Sequence, residues 1–248
     1  MLNITPLLIA IQFLTRIPIK LESIPSDNDN SKSLIFYPVV GLIIGILLTS
    51  IYLISASLSS EMQSILVLLT WVLVTGGLHL DGLADTADAF VGGLGDREKT
   101  LEIMKDPQCG PMGVVSLVLI LLLKFSVVST LSDHTLILLL LAPIMARATI
   151  LSSFLTTPYV RQSGLGSHLV SDHYHRHQQI SLLITLLVLP LLFGWDGFLL
   201  IIFLTVVFLG LRKIKKSRIN GMTGDTLGAQ VEIVETIFLF IGIILLNS

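Results

Sequence analysis

Three aspartates, Asp81, Asp85 and Asp88, stand four and three residues apart in the stretch GGLHLDGLADTADAF, residues 76–90. On a helix those intervals put all three on one face. Like charges so spaced destabilise a helix by about a few tenths of a kcal/mol per pair in water. Beside lipid the cost rises, because a desolvated carboxylate prefers a proton or a partner. A divalent cation resolves the conflict. Ligands that are all oxygen suit Mg²⁺ or Mn²⁺, which take few carboxylates and complete their shell with substrate phosphate. Gly76-Gly77 before the aspartates and GGLG (92–95) after them let backbone and ligand approach closely. The plainer reading is a solvated acidic helix end that complements the helix dipole.

A second acidic row, Asp225, Glu232 and Glu235, borders the last apolar run. Asp225 and Glu232 are seven apart and face together on a helix. The Gly-rich turn NGMTGDTLGA (220–229) leads into that helix as an anion cradle, with Thr223 a candidate substrate contact. Arg16, Arg97, Lys105, Arg147 and Arg161 are the cations placed to meet a charged substrate. Arg147 lies within an apolar span, where an arginine pairs, binds something or snorkels to the interface. Carboxylates holding a divalent cation among Arg and Lys suit displacement at a phosphoryl or pyrophosphate group.

Other polar features carry less. HLVSDHYHRHQQ (168–179) holds four histidines, but His173, His175 and His177 alternate, a spacing that converges on a metal only in an extended strand. It reads as a solvated loop. His79 falls roughly opposite Asp81 on a helix and reads as packing or as support for the site. The single Cys109 excludes an intramolecular disulfide and reads as inert.

The elements that must position these groups are membrane helices. The chain of 248 residues is 53% hydrophobic and 13% charged, with a mean hydropathy of +0.88. Soluble domains carry roughly 25% charged residues. A bilayer core takes roughly 20 apolar residues as helix. The apolar runs predict seven spans near 34–57, 62–79, 112–131, 135–156, 180–195, 197–211 and 229–246. GWDG (194–197) predicts a tight turn, making the fifth and sixth spans a helical hairpin, with one long tilted helix the alternative. The first 20 residues lack a basic leader and a small-residue cleavage site, and Pro6, Arg16 and Pro18 interrupt them; they predict an interfacial or re-entrant segment, with a spanning helix the alternative. The fold class expected is therefore all-α, polytopic, one membrane domain over 1–248. Every Lys and Arg except Lys124 and Arg147 falls in 1–33 or in the loops 80–111, 157–179 and 212–228. The positive-inside rule puts those segments in the cytoplasm. Arg212, Lys213, Lys215, Lys216 and Arg218 read as a topology signal and a lipid-headgroup patch. A transporter would instead place ionisable groups near the midplane, which counts against a divalent-cation transporter.

Four blocks then carry a resemblance: FLTRIP (13–18), FYPVVGLIIG (36–45), GGLHLDGLADTADAF with DREKTLEIMKDPQCGPMG (96–113), and GMTGDTLGAQVEIVE (221–235). In these the chain resembles the adenosylcobinamide-GDP ribazoletransferase family, also called cobalamin-5′-phosphate synthases. The resemblance implies a Mg²⁺-dependent bacterial inner-membrane enzyme of late cobalamin assembly. It would join adenosylcobinamide-GDP to α-ribazole or its 5′-phosphate and release GMP. On that reading Asp81 and Asp85 hold metal, Asp88 is a ligand or the general base, and Asp225 and Glu232 are further ligands. Lys105 and Asp106 join Asp88 as catalytic candidates, and Lys105 and Arg16 hold phosphate. The remaining partner candidates are membrane lipid and a second copy of the chain; no nucleic acid is implied. A CDP-alcohol phosphotransferase is the rival, but Leu78 stands where that pattern has an aspartate before the Asp-Gly pair, and Ala84-Asp85 where it has Ala-Arg.

Overall fold

The computed structural model describes residues 4–21, 24–161, 165–170 and 172–247. Residues 1–3 of the N-terminal segment, and 162–164 and 171 of the expected 157–179 loop, lie outside that set. The helices are α1 Thr5–Leu14, α2 Asp27–Ser33, α3 Tyr37–Ile54, α4 Ser60–Thr75, α5 Leu78–Gly92, α6 Arg97–Ile103, α7 Pro111–Ser129, α8 Ile137–Thr156, α9 His175–Phe193, α10 Trp195–Ile219 and α11 Gly224–Leu246. The protein is an all-α polytopic membrane protein. Six helices are long and apolar enough to cross a bilayer, with α2 and α3 counted as one 28-residue helix. A seventh span arises if the bent pair α4–α5 counts as one.

Burial ranks the spans. Of α8's most apolar stretch 72% is buried in the bundle, against 17% for α9 and for α10. So α8 is the central post, and the α9–α10 hairpin stands at the periphery with Leu183, Ile184, Leu191, Ile202 and Val206 turned outward. Lipid is as apolar as leucine, so close backbone packing must hold the post. Gly41 and Gly45 supply it on α3: a Cβ at Gly41 would sit 2.5 Å from the Pro143 carbonyl oxygen, and one at Gly45 would strike that of Leu140. On the other side of α8 lies α11, whose Val231, Val234, Phe238 and Leu239 are buried.

The bend between α4 and α5 is 86°. Gly76 and Gly77 make it, with φ of 64° and 68°. Left-handed backbone at two consecutive residues costs a side chain about 1–2 kcal/mol each, so glycine is the residue that fits. The aspartate helix therefore turns off the bundle axis instead of continuing through lipid.

Several boundaries differ from the sequence expectation. The basic run Arg212–Arg218 is the last part of α10 rather than a loop, and the expected 212–228 connection shrinks to 220–223. Most of 80–111 is helical, as α5 and α6. His175 and His177 open α9, and His168 Nδ1 lies 3.1 Å from Asp27, so the histidine tract is not a free loop. The N-terminal segment is the ten-residue α1, too short to cross. The hairpin is present: Gly194 breaks the chain between α9 and α10, and Gly197 packs directly on the Leu189 carbonyl.

With the exposed Cys109 replaced by serine, single cysteines at Asp196 and Ser217 should react with an impermeant maleimide from opposite sides of the membrane. Labelling from one side would dissolve the hairpin.

Candidate functional site

The site forms where α5 crosses the start of α11. Gly82 lies against the Asp225 backbone, where a Cβ would sit 2.7 Å from the carbonyl oxygen. Gly228 faces His79 in the same way, with a Cβ 3.2 Å from its backbone. Leu83, Ile120 and Ala229 seal α5, α7 and α11 below this crossing. The two glycines let the helices approach until Asp225 shares a rim with Asp81 and Asp85.

On that rim Asp81 is exposed, and Asp85 and Asp225 are half-buried. Asp85 feels the charges of Asp81, Asp225 and Asp88. Arg161 pairs with Asp225 at 2.7 Å and also donates to the Met104 carbonyl at 3.1 Å. A short backbone pairing holds it there: Val160 N–H donates to the Met222 carbonyl and Met222 N–H to that of Pro158, at 3.0 and 2.9 Å. Asp81, Asp225, Arg161 and Tyr159 line one cavity of about 200 Å³. Burial pushes the Tyr159 phenol up, so it stays neutral. Among the described residues no three His, Cys, Asp or Glu side chains close into a cation cage. The rim can supply one or two carboxylates, which suits Mg²⁺ completed by substrate phosphates better than a protein-only cage.

Several sequence-predicted residues lie elsewhere. Asp88 spends both oxygens on backbone amides, accepting from Gly110 at 2.7 Å and Gly113 at 2.8 Å. These are groups at the start of α7, which lack helical partners, so Asp88 anchors that helix. Glu232 is buried and paired with Lys124 at 2.6 Å, not on the rim with Asp225. Glu235 pairs with Lys124 at 2.6 Å and with Arg147. Arg147 is fully buried and neither snorkels nor reaches a substrate surface. Its second contact is His79 Nδ1 at 3.4 Å, so His79 packs as expected. Lys124 also sits 4.4 Å over the Trp71 ring.

Thr223 is fully buried as the N-cap of α11: its hydroxyl accepts from Thr226 N–H, while Thr226 Oγ accepts from Thr223 N–H. The helix start expected to cradle an anion thus spends its Thr226 amide within the fold. Arg97 donates to the Ile219 carbonyl and ties α6 to the end of α10. Lys105 and Asp106 are exposed beyond α6, with Asp106 accepting from Gln108 N–H; neither lines the rim cavity. Arg16 is exposed, packs on Gly76 and lines a neighbouring cavity of about 830 Å³.

Lys124 is the functional-looking residue that sequence reasoning passed over. A lone lysine in LVLILLLKFSVV had a signal, since an intramembrane charge needs a partner. A second polar set went unnoticed too: Lys215 donates to Gln230 Oε1 at 2.5 Å, Ser153 donates to the same oxygen, and Gln230 donates to Thr149. Lys215 is buried, so it leaves the headgroup patch expected of its neighbours.

A family model described as Cobalamin-5-phosphate synthase matches residues 6–243. A protein of Acinetobacter baumannii named adenosylcobinamide-GDP ribazoletransferase is 48% identical over 237 residues, 95% of this chain and 96% of its own. One of the same name from Pseudomonas syringae pv. syringae is 47% identical over 232 residues, 93% of this chain and 95% of its own. Another from Stutzerimonas stutzeri is 47% identical over 231 residues, 93% and 94% of the two chains. No solved structure matches.

Glu232→Gln leaves Lys124 and Arg147 sharing Glu235 alone. Leaving a buried charge uncompensated costs about 3–5 kcal/mol, so the melting temperature in detergent should fall sharply. Adding Lys124→Met leaves the Arg147–Glu235 pair intact and should recover much of the loss. A Glu232→Gln protein that melts like wild type but has lost turnover would return Glu232 to the reactive acids.

Proposed function

The chain belongs to the cobalamin-5-phosphate synthase family, and from that premise we propose the following reaction. The enzyme transfers the adenosylcobinamide-phosphate moiety of adenosylcobinamide-GDP to α-ribazole or α-ribazole 5′-phosphate and releases GMP. A ribose hydroxyl attacks the cobinamide-side phosphorus. The new bond joins that oxygen to phosphorus, the bond from phosphorus to the GMP oxygen breaks, and a rim carboxylate takes the hydroxyl proton. The observation that carries this reading is the rim itself: Asp81, Asp225 and Arg161 line one cavity, with Asp85 in their field.

The roles follow from what each group already does. Asp81 is exposed and free to take a new partner. Asp85 sits among like charges, which a cation relieves. Arg161 holds Asp225, and its fork can turn part of its donor set to a phosphate oxygen. Arg16 and the larger cavity it lines suit the bulkier nucleotide-linked substrate. Asp81, together with Asp85 or Asp225, would hold Mg²⁺, which when bound would neutralise charge on the pyrophosphate and on the departing GMP. Asp88 and Glu232 have no part in this set, because their oxygens are engaged inside the fold.

We further propose that the enzyme lies in the bacterial cytoplasmic membrane with its rim toward the cytoplasm. Support comes from the Lys and Arg bias of the segments on the rim side. Arg161, which pairs with Asp225, and Arg97, which donates to the Ile219 carbonyl, both belong to those basic segments.

Asp81→Asn and Asp85→Asn keep side-chain size and remove charge. Each should lower product formation by orders of magnitude, because the transferring phosphorus loses charge stabilisation. Melting without Mg²⁺ should hold or rise, since one of several like charges is gone. Mg²⁺ should raise the wild-type melting temperature by mass action, and less so that of either variant. Near-normal cobamide formation by both variants, read by mass spectrometry, would reduce the cluster to a solvated helix end.

A further inference from the structure

The rim cavity has a second half. Behind Asp81, Asp225 and Arg161 its wall is aromatic and aliphatic: Phe13, Tyr37, Phe154 and Tyr159 line it with Leu14 and Ile150. The rings are paired. Phe13 and Tyr37 stack with centroids 6.3 Å apart and planes 27° from parallel. Phe154 and Tyr159 stack at 6.2 Å and 9°. Such walls accept a flat ring by offset stacking.

Tyr37 adds the observation that points to a ligand. The residue is 1% exposed, and among the described residues its hydroxyl has no hydrogen-bond partner. A buried hydroxyl left unpaired is costly and uncommon in a native fold. Phenylalanine would fill the same space without that cost. The hydroxyl is therefore explained by a partner that arrives with a ligand.

We propose that this cavity is the base subsite for the ribazole substrate, with the Tyr37 hydroxyl donating to the unsubstituted ring nitrogen of its benzimidazole. The assignment rests on the proposed function and deepens it. A volume of about 200 Å³ admits one bicyclic base and no corrin macrocycle. The ring enters between aromatic walls, and the ribose is left at the mouth beside Asp81 and Asp225, where a hydroxyl must be activated. The subsite thus separates the ribazole base from the corrin macrocycle by bulk.

The test compares wild type with Tyr37→Phe, using benzimidazole riboside and indole riboside, which keeps the shape and lacks the free ring nitrogen. Calorimetry in detergent reads binding without turnover, and cobamide formation reads KM. Wild type should bind the benzimidazole riboside about tenfold more tightly than the indole riboside. Tyr37→Phe should abolish that preference, raise the ribazole KM, leave the KM for adenosylcobinamide-GDP within about twofold, and melt no lower than wild type. An unchanged preference, or a lower melting temperature with equal losses for both substrates, would make Tyr37 a packing residue and overturn the subsite. Absence of riboside binding to wild type would also overturn it. Riboside binding without any cobamide product would instead overturn the proposed reaction and leave the base pocket standing.

Discussion

Inside the bundle, Lys124 and Arg147 balance Glu232 and Glu235, two cations against two anions. No one of these charges could stay in a lipid-buried interior alone; the penalty for each is several kcal/mol, and only the set removes it. The set joins α7, α8 and α11 at one depth, so it fixes the rotation of α11 about its axis. Asp225 lies seven residues before Glu232, on the same stripe of that helix. Locking the buried glutamates therefore aims Asp225 at the other end. Gly82 and Gly228 then bring α5 against that stripe. The acidic rim is the exposed end of an arrangement whose buried end is electrostatic.

This explains why acids of one type play different parts. Glu232 and Glu235 are satisfied by the bundle, and Asp88 by the first turn of α7. Asp81 and Asp85 remain crowded with like charge and open to a ligand. What sorts them is depth and the identity of the neighbour, not the side chain. Helical spacing could place Asp81, Asp85 and Asp88 on one face, and it did so correctly. It could not reveal that α7 begins beneath Asp88, because that contact joins residues 22 and 25 positions apart through a turn.

The same distinction marks what was legible in the chain. Apolar runs announced the spans, and Gly194 announced the hairpin, because lipid imposes length and turn chemistry locally. The basic run 212–218 was misread as loop: lysine and arginine are good helix formers, and a helix can carry them out past the lipid boundary. Lys124 stayed hidden because its partners lie 108 and 111 residues away. Thr223 looked like a ligand contact in a Gly-rich turn, but Thr226 three residues on is the reciprocal partner of a capping box. That pattern was readable, and it competes with the anion cradle for the same amides.

The 86° bend reconciles two demands that oppose each other in a membrane. A rim of carboxylates and arginine needs water, while the aromatic slot beside it is apolar. Had α4 continued straight, its next turns would have carried Asp81 and Asp85 along a lipid-facing span, where both would resist ionisation. Turning at Gly76 and Gly77 lifts the acids to the bundle end. The turn also separates α5 from the axis of its neighbours, and the gap it leaves is closed by α1, α3, α8 and the Tyr159 segment rather than filled. Arg16 packed on Gly76 holds α1 to that corner. A side chain at Gly76 would therefore strain the bend and displace α1 together, coupling the position of the acids to the shape of the apolar slot beside them.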